Sequence, residues 1–412
     1  MNAGLNVLFL LALCTAVGCG EDSASGAGGA GGVGGLAGAG GGGSGGDAGS
    51  GGGTGGSGAT GGMGGIGGSA GAGGTIPGVP KLLSEGGLFA DIPNQVPAEG
   101  VVPYDVTSPL FSDYAVKPRF VAVPDGQTIQ YSDTERWQSP VGTIYVKTFA
   151  YPKDERDPEL GLQLLETRLL VHEESGWKVH TYAYGDDPSD ADRLTTGRNL
   201  SVSWIDINGN VRTVESYRIP SNGECRKCHN AVPNTRTLGP STGMLNMNND
   251  YGEGPVNQID HFASLGWLDT TPPPVDERTT YVNPFDPESD ADVHERTRAY
   301  FSSNCSHCHA PEGEAAEHQL FLDYTSMDPV TGNPFNWGVC KKPTAASRTN
   351  CTLTFDVVPL DPDSSLLLCR VESTDSVEMM PPVGRSVEHT EGVALIRAWI
   401  EGLDMGTCSP SP

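Results

Sequence analysis

Positive charge is scarce in this chain. Its 412 residues carry 25 Lys and Arg against 51 Asp and Glu, a formal net charge of −26. Such a balance excludes nucleic acid and an anionic membrane face as partners. Beyond residue 20 no uninterrupted apolar run is long enough to cross a bilayer, so no spanning segment is expected there. Between Gly20 and Pro80 side chains themselves are lacking, since 32 of the 57 glycines fall in that stretch. Its GG and GGxGG blocks, filled with Ser, Ala and Thr, have almost nothing with which to bury apolar area. A disordered linker over 20–79 is therefore expected, with a span on the order of 40 Å.

What precedes the linker is apolar. Residues 5–18 (LNVLFLLALCTAVG) read as the core of a secretory signal over 1–19, too short for a stable span. Ala16, Val17, Gly18 and Cys19 resemble a bacterial lipobox. That resemblance implies an extracytoplasmic protein, periplasmic or at the cell surface, whose one membrane contact is a lipid on Cys19.

Ten cysteines are present, and eight lie beyond the leader. Four of these form Cys225-Arg-Lys-Cys228-His229 and Cys305-Ser-His-Cys308-His309, two copies of C-x-x-C-H about 76 residues apart. The pattern is that of c-type haem attachment: two thiols one helical turn apart add to the two vinyl groups of a haem, and the next imidazole meets the iron. Two covalently attached haems are expected, with His229 and His309 as iron ligands. A zinc site from the two C-x-x-C pairs would leave both trailing histidines unexplained. A thioredoxin-like pair would need a βαβ context that is missing. His307, inside the second motif, is expected at the surface. The other four, Cys340, Cys351, Cys369 and Cys408, allow three disulfide pairings, of which Cys340–Cys351 with Cys369–Cys408 is the most economical.

Two amphipathic helices bracket the second motif. Asp290–Phe301 places Val293, Thr297, Tyr300 and Phe301 on one stripe, and Thr390 can cap a helix whose Ile396, Trp399, Ile400 and Leu403 recur at helical spacing. Between them Met379-Met380-Pro381-Pro382 offers a thioether on a proline-stiffened loop. This arrangement, over about 290–404, resembles a class I cytochrome c domain. The resemblance implies Met380 as distal ligand of the second haem, with Met379 as the fallback. More widely, LFADIPNQVPAEGVVPYDVTSPLFSDYAVKPRF, PVGTIYVKTFAYP, NPFNWGVCKKP and MMPPVGRSVEHTEGVALIRAWI resemble a family of exported bacterial dihaem c-type cytochromes of uncertain role.

From Pro118 to Pro220 the pattern is of strands (RFVAV, TIQYS, TIYVKTFAY, LQLLETRLLVHE, WKVHTYAYG, LSVSWID, VRTVESYRI). Glu174-Ser175-Gly176 and Asn208-Gly209-Asn210 serve as hairpin turns, so an antiparallel, sandwich-like β domain is expected. The fold class is thus α+β and multidomain: a β-rich domain over 80–220, a first haem-binding region over 221–280, and a mostly helical cytochrome c-like domain over 281–412. For the first haem's distal ligand, Met244, Met247, His261 and an open position are the candidates. The expected function is single-electron transfer with a redox partner protein, basic by charge complementarity. Two alternatives stand beside it: a dihaem oxidoreductase or peroxidase with an open first haem, and a binding module whose β domain carries a redox terminus.

Overall fold

The computed structural model describes residues 79–231, 234–235, 237–344 and 350–409. The leader, Cys19 and the linker up to residue 78 lie outside the described residues.

The strand patterns build one six-stranded antiparallel sheet in chain order, β1 (Val101–Tyr104), β2 (Arg119–Ala122), β3 (Ile144–Pro152), β4 (Leu162–Glu173), β5 (Gly176–Tyr184) and β6 (Ala191–Leu194). Alternation decides the two faces. On β3, Ile144, Val146 and Ala150 join Phe120, Leu164, Leu169 and Tyr182 in one core. Tyr145, Lys147, Phe149 and Tyr151 take the opposite face, with Phe149 and Tyr151 in a second core and Tyr145 in a third. A separate hairpin of β7 (Arg198–Ile205) and β8 (Val211–Ile219) puts Val202, Trp204, Val214 and Tyr217 onto Phe149 and Tyr151. The β region is therefore a six-stranded sheet half-covered by a two-stranded ribbon. TIQYS contributes only isolated bridges, Ile129 to Leu268 and Gln130 to Gln138.

Where β8 ends, Ser221 and Glu224 form a reciprocal capping box. The Ser221 Oγ accepts from Glu224 N (3.3 Å) and the Glu224 carboxylate accepts from Ser221 N (2.8 Å), starting helix α1 (Asn222–His229). Two further short helices follow, α2 (Thr242–Leu245) and α3 (Gln258–Ser264).

Helix α4 (Val293–Asn304) starts at Asp292, whose carboxylate accepts from Glu295 N at 2.8 Å. It packs against α6 (Thr390–Glu401), with Phe301 edge-on to Trp399 (centroids 5.6 Å apart). Helix α5 (Leu366–Glu372) supplies Leu367, Leu368 and Val371 to the same core. The stripe Ile396, Trp399, Ile400 and Leu403 is buried as the periodicity requires. The N-cap of α6 is His389, and Thr390 is its first helical residue. Segment 105–114 ties the sheet to these helices: Ser108 Oγ donates to Ala299 O (2.9 Å), Phe111 N to Asn304 Oδ1 (2.7 Å), and the Asp113 carboxylate accepts from Ser386 N (2.7 Å).

The disulfides are Cys340–Cys408 and Cys351–Cys369, which corrects the pairing expected from loop length. Val339 bridges Val357 and Cys340 N donates to Val357 O, the carbonyl that Cys408 Sγ also approaches (3.9 Å). Cys340 is thereby aligned with the C-terminal tail, and Cys351 falls against α5. Loop economy was a weak guide, because each doubling of loop length costs only about 0.6 kcal/mol.

Candidate functional site

Helix α1 carries the first motif on one face. Cys228 is three residues and His229 four residues beyond Cys225, the two spacings that put helical side chains side by side. Cys225 is buried against the sheet, and burial raises its pKa, opposed by the Arg168 charge and helped by that of Glu166. The second motif continues α4 by one turn: Cys305 N donates to Phe301 O (2.8 Å), and Cys308 N and His309 N both donate to Cys305 O (3.1 and 2.9 Å).

Each motif opens onto a cavity. The first, about 220 Å³, lies between the sheet and α1 and is lined by Cys225, Cys228, His229 and Met244. The second, about 400 Å³, is lined by Cys305, Cys308 and His309 together with apolar side chains such as Phe301, Leu322 and Leu367. Cys228, His307 and Met380 line both. The two motifs, far apart in the chain, thus meet: ligand atoms of Cys228, His307 and Cys308 all lie within 4.8 Å of one another. Cys308 Sγ also sits 3.7 Å from Lys227 O. His307 is buried, only 5% exposed, which corrects its expected place at the surface. The turn after Cys305 points residue 307 inward at α1, and the other motif covers it.

Electrostatics follow from this contact. The Cys228 thiol, hydrogen-bonded to Cys308, holds the Cys308 pKa down, and the neighbouring imidazoles of His307 and His309 add to the effect. Burial lowers His309 to about 4, offset in part by Cys308 and the Leu320 backbone. His309 is therefore a neutral imidazole, the form that binds a metal.

Of the methionines, Met380 lines both cavities and Met379 neither. Met380 is fixed by its backbone: its N–H donates to Arg370 O (2.8 Å), and its carbonyl accepts from Arg385 Nη2 (2.9 Å) and Nε (3.2 Å). Met247 and His261 line neither cavity, and His261 stacks on Tyr251 with centroids 3.6 Å apart.

Sequence reasoning missed the charged wall of the first cavity. Arg119, Lys147 and Arg168 stand on adjacent strands, Arg119 opposite Lys147 and Lys147 opposite Arg168. The signal was available, since a lysine inside the apolar run TIYVKTFAY is out of place in a buried strand. His389 was also missed. It stacks on Phe111 (4.1 Å), its Nδ1 bonds the Tyr300 hydroxyl (3.0 Å), and burial lowers its pKa to about 4.

The donor chemistry fits a c-type haem at both motifs. Each offers two thiols and an imidazole to one cavity, and among the described residues the buried Nδ1 of His309 has no hydrogen-bond partner. Comparison with known proteins adds no identity: no protein-family model, no curated protein and no solved structure matches the chain.

Proposed function

We propose that this chain is an extracytoplasmic dihaem c-type cytochrome that passes single electrons. The observation that carries the reading is the meeting of the two C-x-x-C-H motifs, each on its own cavity, with Cys228 and Cys308 in contact range. When bound, each haem supplies a one-electron iron couple.

The chain's own residues do the rest. Cys225 and Cys228 tether one group, and Cys305 and Cys308 the other, so that neither is lost from an exported protein. His229 and His309 would each offer an iron an imidazole, and Met380 would offer the second a thioether, which favours the reduced state relative to a second imidazole. Met244 is the first cavity's own thioether. Ligand atoms of the two motifs lie within 4.8 Å of one another, so the chain would hold two such groups close together, and single-electron exchange between a donor and an acceptor protein would need no catalytic acid or base from the chain. Two disulfides support an oxidising compartment, and the leader reading adds anchorage through Cys19. The surplus of acid favours a basic partner. The C-terminal part is less helical than expected, its α4, α5 and α6 covering 12, 7 and 12 residues, and with α4 against α6 it is read as the cytochrome c-like domain.

Expression in a host with cytochrome c maturation tests this. The wild-type chain should carry two covalent haems, the double variants Cys225→Ala/Cys228→Ala and Cys305→Ala/Cys308→Ala one each. Low-spin spectra without a carbon monoxide shift fit the carrier; a high-spin, carbon monoxide-binding haem at the first motif would move the function to catalysis there. A second reading rests on Cys228, His307 and Cys308, which offer two sulfurs and one nitrogen within 4.8 Å, three of the four ligands of a zinc site. One zinc and no haem per chain would select it.

A further inference from the structure

The first cavity is built for an anion in a chain that is otherwise strongly acidic. Among its lining side chains the cations are Arg119, Arg136, Lys147, Arg168 and Arg385. Among the described residues the one carboxylate lining it is Glu224, which is committed to Arg218 at 2.9 Å. Three of the cations form a row across β2, β3 and β4, and like charges directly opposite on neighbouring strands repel. Two have relief: Arg119 pairs with Asp105 (2.9 Å), and the Arg168 Nε donates to Glu166 (2.8 Å). Among the described residues no carboxylate lies within ion-pair distance of Lys147, and its ammonium stands 5.2 Å from the Phe149 ring. Lys117, the next cation along, donates to the Ala115 carbonyl (2.5 Å) and gives it no relief.

We propose that Lys147 and Arg119 form a carboxylate-binding site that takes the propionate groups of the haem tethered at Cys225 and Cys228, a proposal that rests on the dihaem reading. The order of the row sets the direction. Arg168 lies beside Cys225, at the thioether end, and its charge is already matched by Glu166. Lys147 and Arg119 are one and two strands further on, about 5 and 10 Å at ordinary strand spacing. That is the breadth of a porphyrin from its vinyl side to its propionate side. Lys147 then gains the anion its own strands withhold, and Arg119 presents a guanidinium fork suited to a carboxylate. A small free anion entering the cavity would meet the same charges, so the test must separate a carboxylate of the haem from one in solution.

The experiment uses the full chain matured with haem, comparing wild type with Lys147→Met, Lys147→Arg and Arg119→Met. Haem per chain, the midpoint potential of each haem and the propionate bending bands in resonance Raman spectra are measured, with and without added acetate. Removing a positive charge beside a carboxylate-bearing iron centre favours the oxidised form. Lys147→Met should therefore keep two covalent haems while one potential falls by about 59 mV, a tenfold change for one electron. The propionate bands of that haem should shift, and Lys147→Arg should restore both. Two covalent haems with unchanged potentials and bands in both Met variants would overturn the proposal and leave the dihaem reading standing. So would a potential that follows added acetate while the bands stay fixed, which would assign the row to a free anion. A wild-type chain without two covalent haems would refute the reading and the proposal with it. If Lys147→Met does not fold, Arg119→Met and Lys147→Arg carry the same comparison.

Discussion

Replacing Arg385 should loosen the Met380 loop more than any other single substitution there. The side chain is buried, 5% exposed, and its guanidinium is spent on backbone carbonyls. It donates to Ser373 O (2.7 Å), Met380 O (2.9 Å), Val371 O (3.0 Å), Val387 O (3.2 Å) and Arg370 O (3.4 Å). One residue thus joins the end of α5, the methionine loop and the approach to α6. Arg385→Met leaves at least the three closest acceptors without a donor. Each buried unsatisfied carbonyl costs about 1–3 kcal/mol. Against that stands the relief of no longer burying a cation, a real cost here because burial lowers the Arg385 pKa. The net is a loss of about 3 kcal/mol, or roughly 4 °C in melting temperature for a folded part of this size. Arg385→Lys should recover only part, since an ammonium cannot span five acceptors as a planar fork does. Differential scanning calorimetry of the expressed protein measures the loss, and on the proposed haem ligation by Met380 the methionine-to-iron charge-transfer band reports the loop as well. Arg385→Met melting within 1 °C of wild type, with that band intact, would refute the reasoning.

Two further predictions test the surroundings. Non-reducing peptide mapping should recover Cys340 with Cys408 and Cys351 with Cys369, and Cys351→Ser/Cys369→Ser, which opens a separation of 18 residues, should cost about 3 kcal/mol by loop entropy. His389, packed against Phe111, Tyr114 and Tyr300 with Glu391 nearby, has its pKa lowered to about 4 by burial. Its unfolded value is near 6.5, so between pH 4 and 6.5 the unfolded chain binds the extra proton. Stability contributed by the neutral ring is complete above pH 6.5 and lost as pH falls towards 4, by up to about 3 kcal/mol. Urea titrations across that range should show the slope, and His389→Phe should flatten it; an unchanged slope would exclude His389 as its source.

Much of the fold was legible because strand and helix periodicities are local. LQLLETRLLVHE became β4 residue for residue, and the turn at Gly176 takes the positive φ (99°) that its glycine allows. TIQYS was misread because its alternation serves bridges to Gln138 and Leu268, not a ladder. The edge strands Val101–Tyr104 and Ala191–Leu194 were not read as strands. The first holds a proline, and the second is half charged, with Asp192 and Arg193, so neither shows the apolar alternation of a buried strand.

The site divides in the same way. The donor groups are visible in sequence because one helical turn fixes Cys225, Cys228 and His229 on a face, with no help from the rest of the chain. What each face looks onto is set by tertiary contacts, and three conclusions depended on it. His307 turns inward only because α1 covers the turn after Cys305. Cys408 finds Cys340 only because Val339 and Val357 align the two segments. The cations of β2, β3 and β4 become a wall only because the antiparallel register places them opposite one another. In each case sequence supplied the chemical group and topology supplied its neighbour. Reactivity at this site, which depends on neighbours, is for that reason a property of the assembled sheet and helices: shifting β3 by one residue would turn Lys147 to the Ile144 and Val146 face and leave α1 with the same motif and no cationic wall.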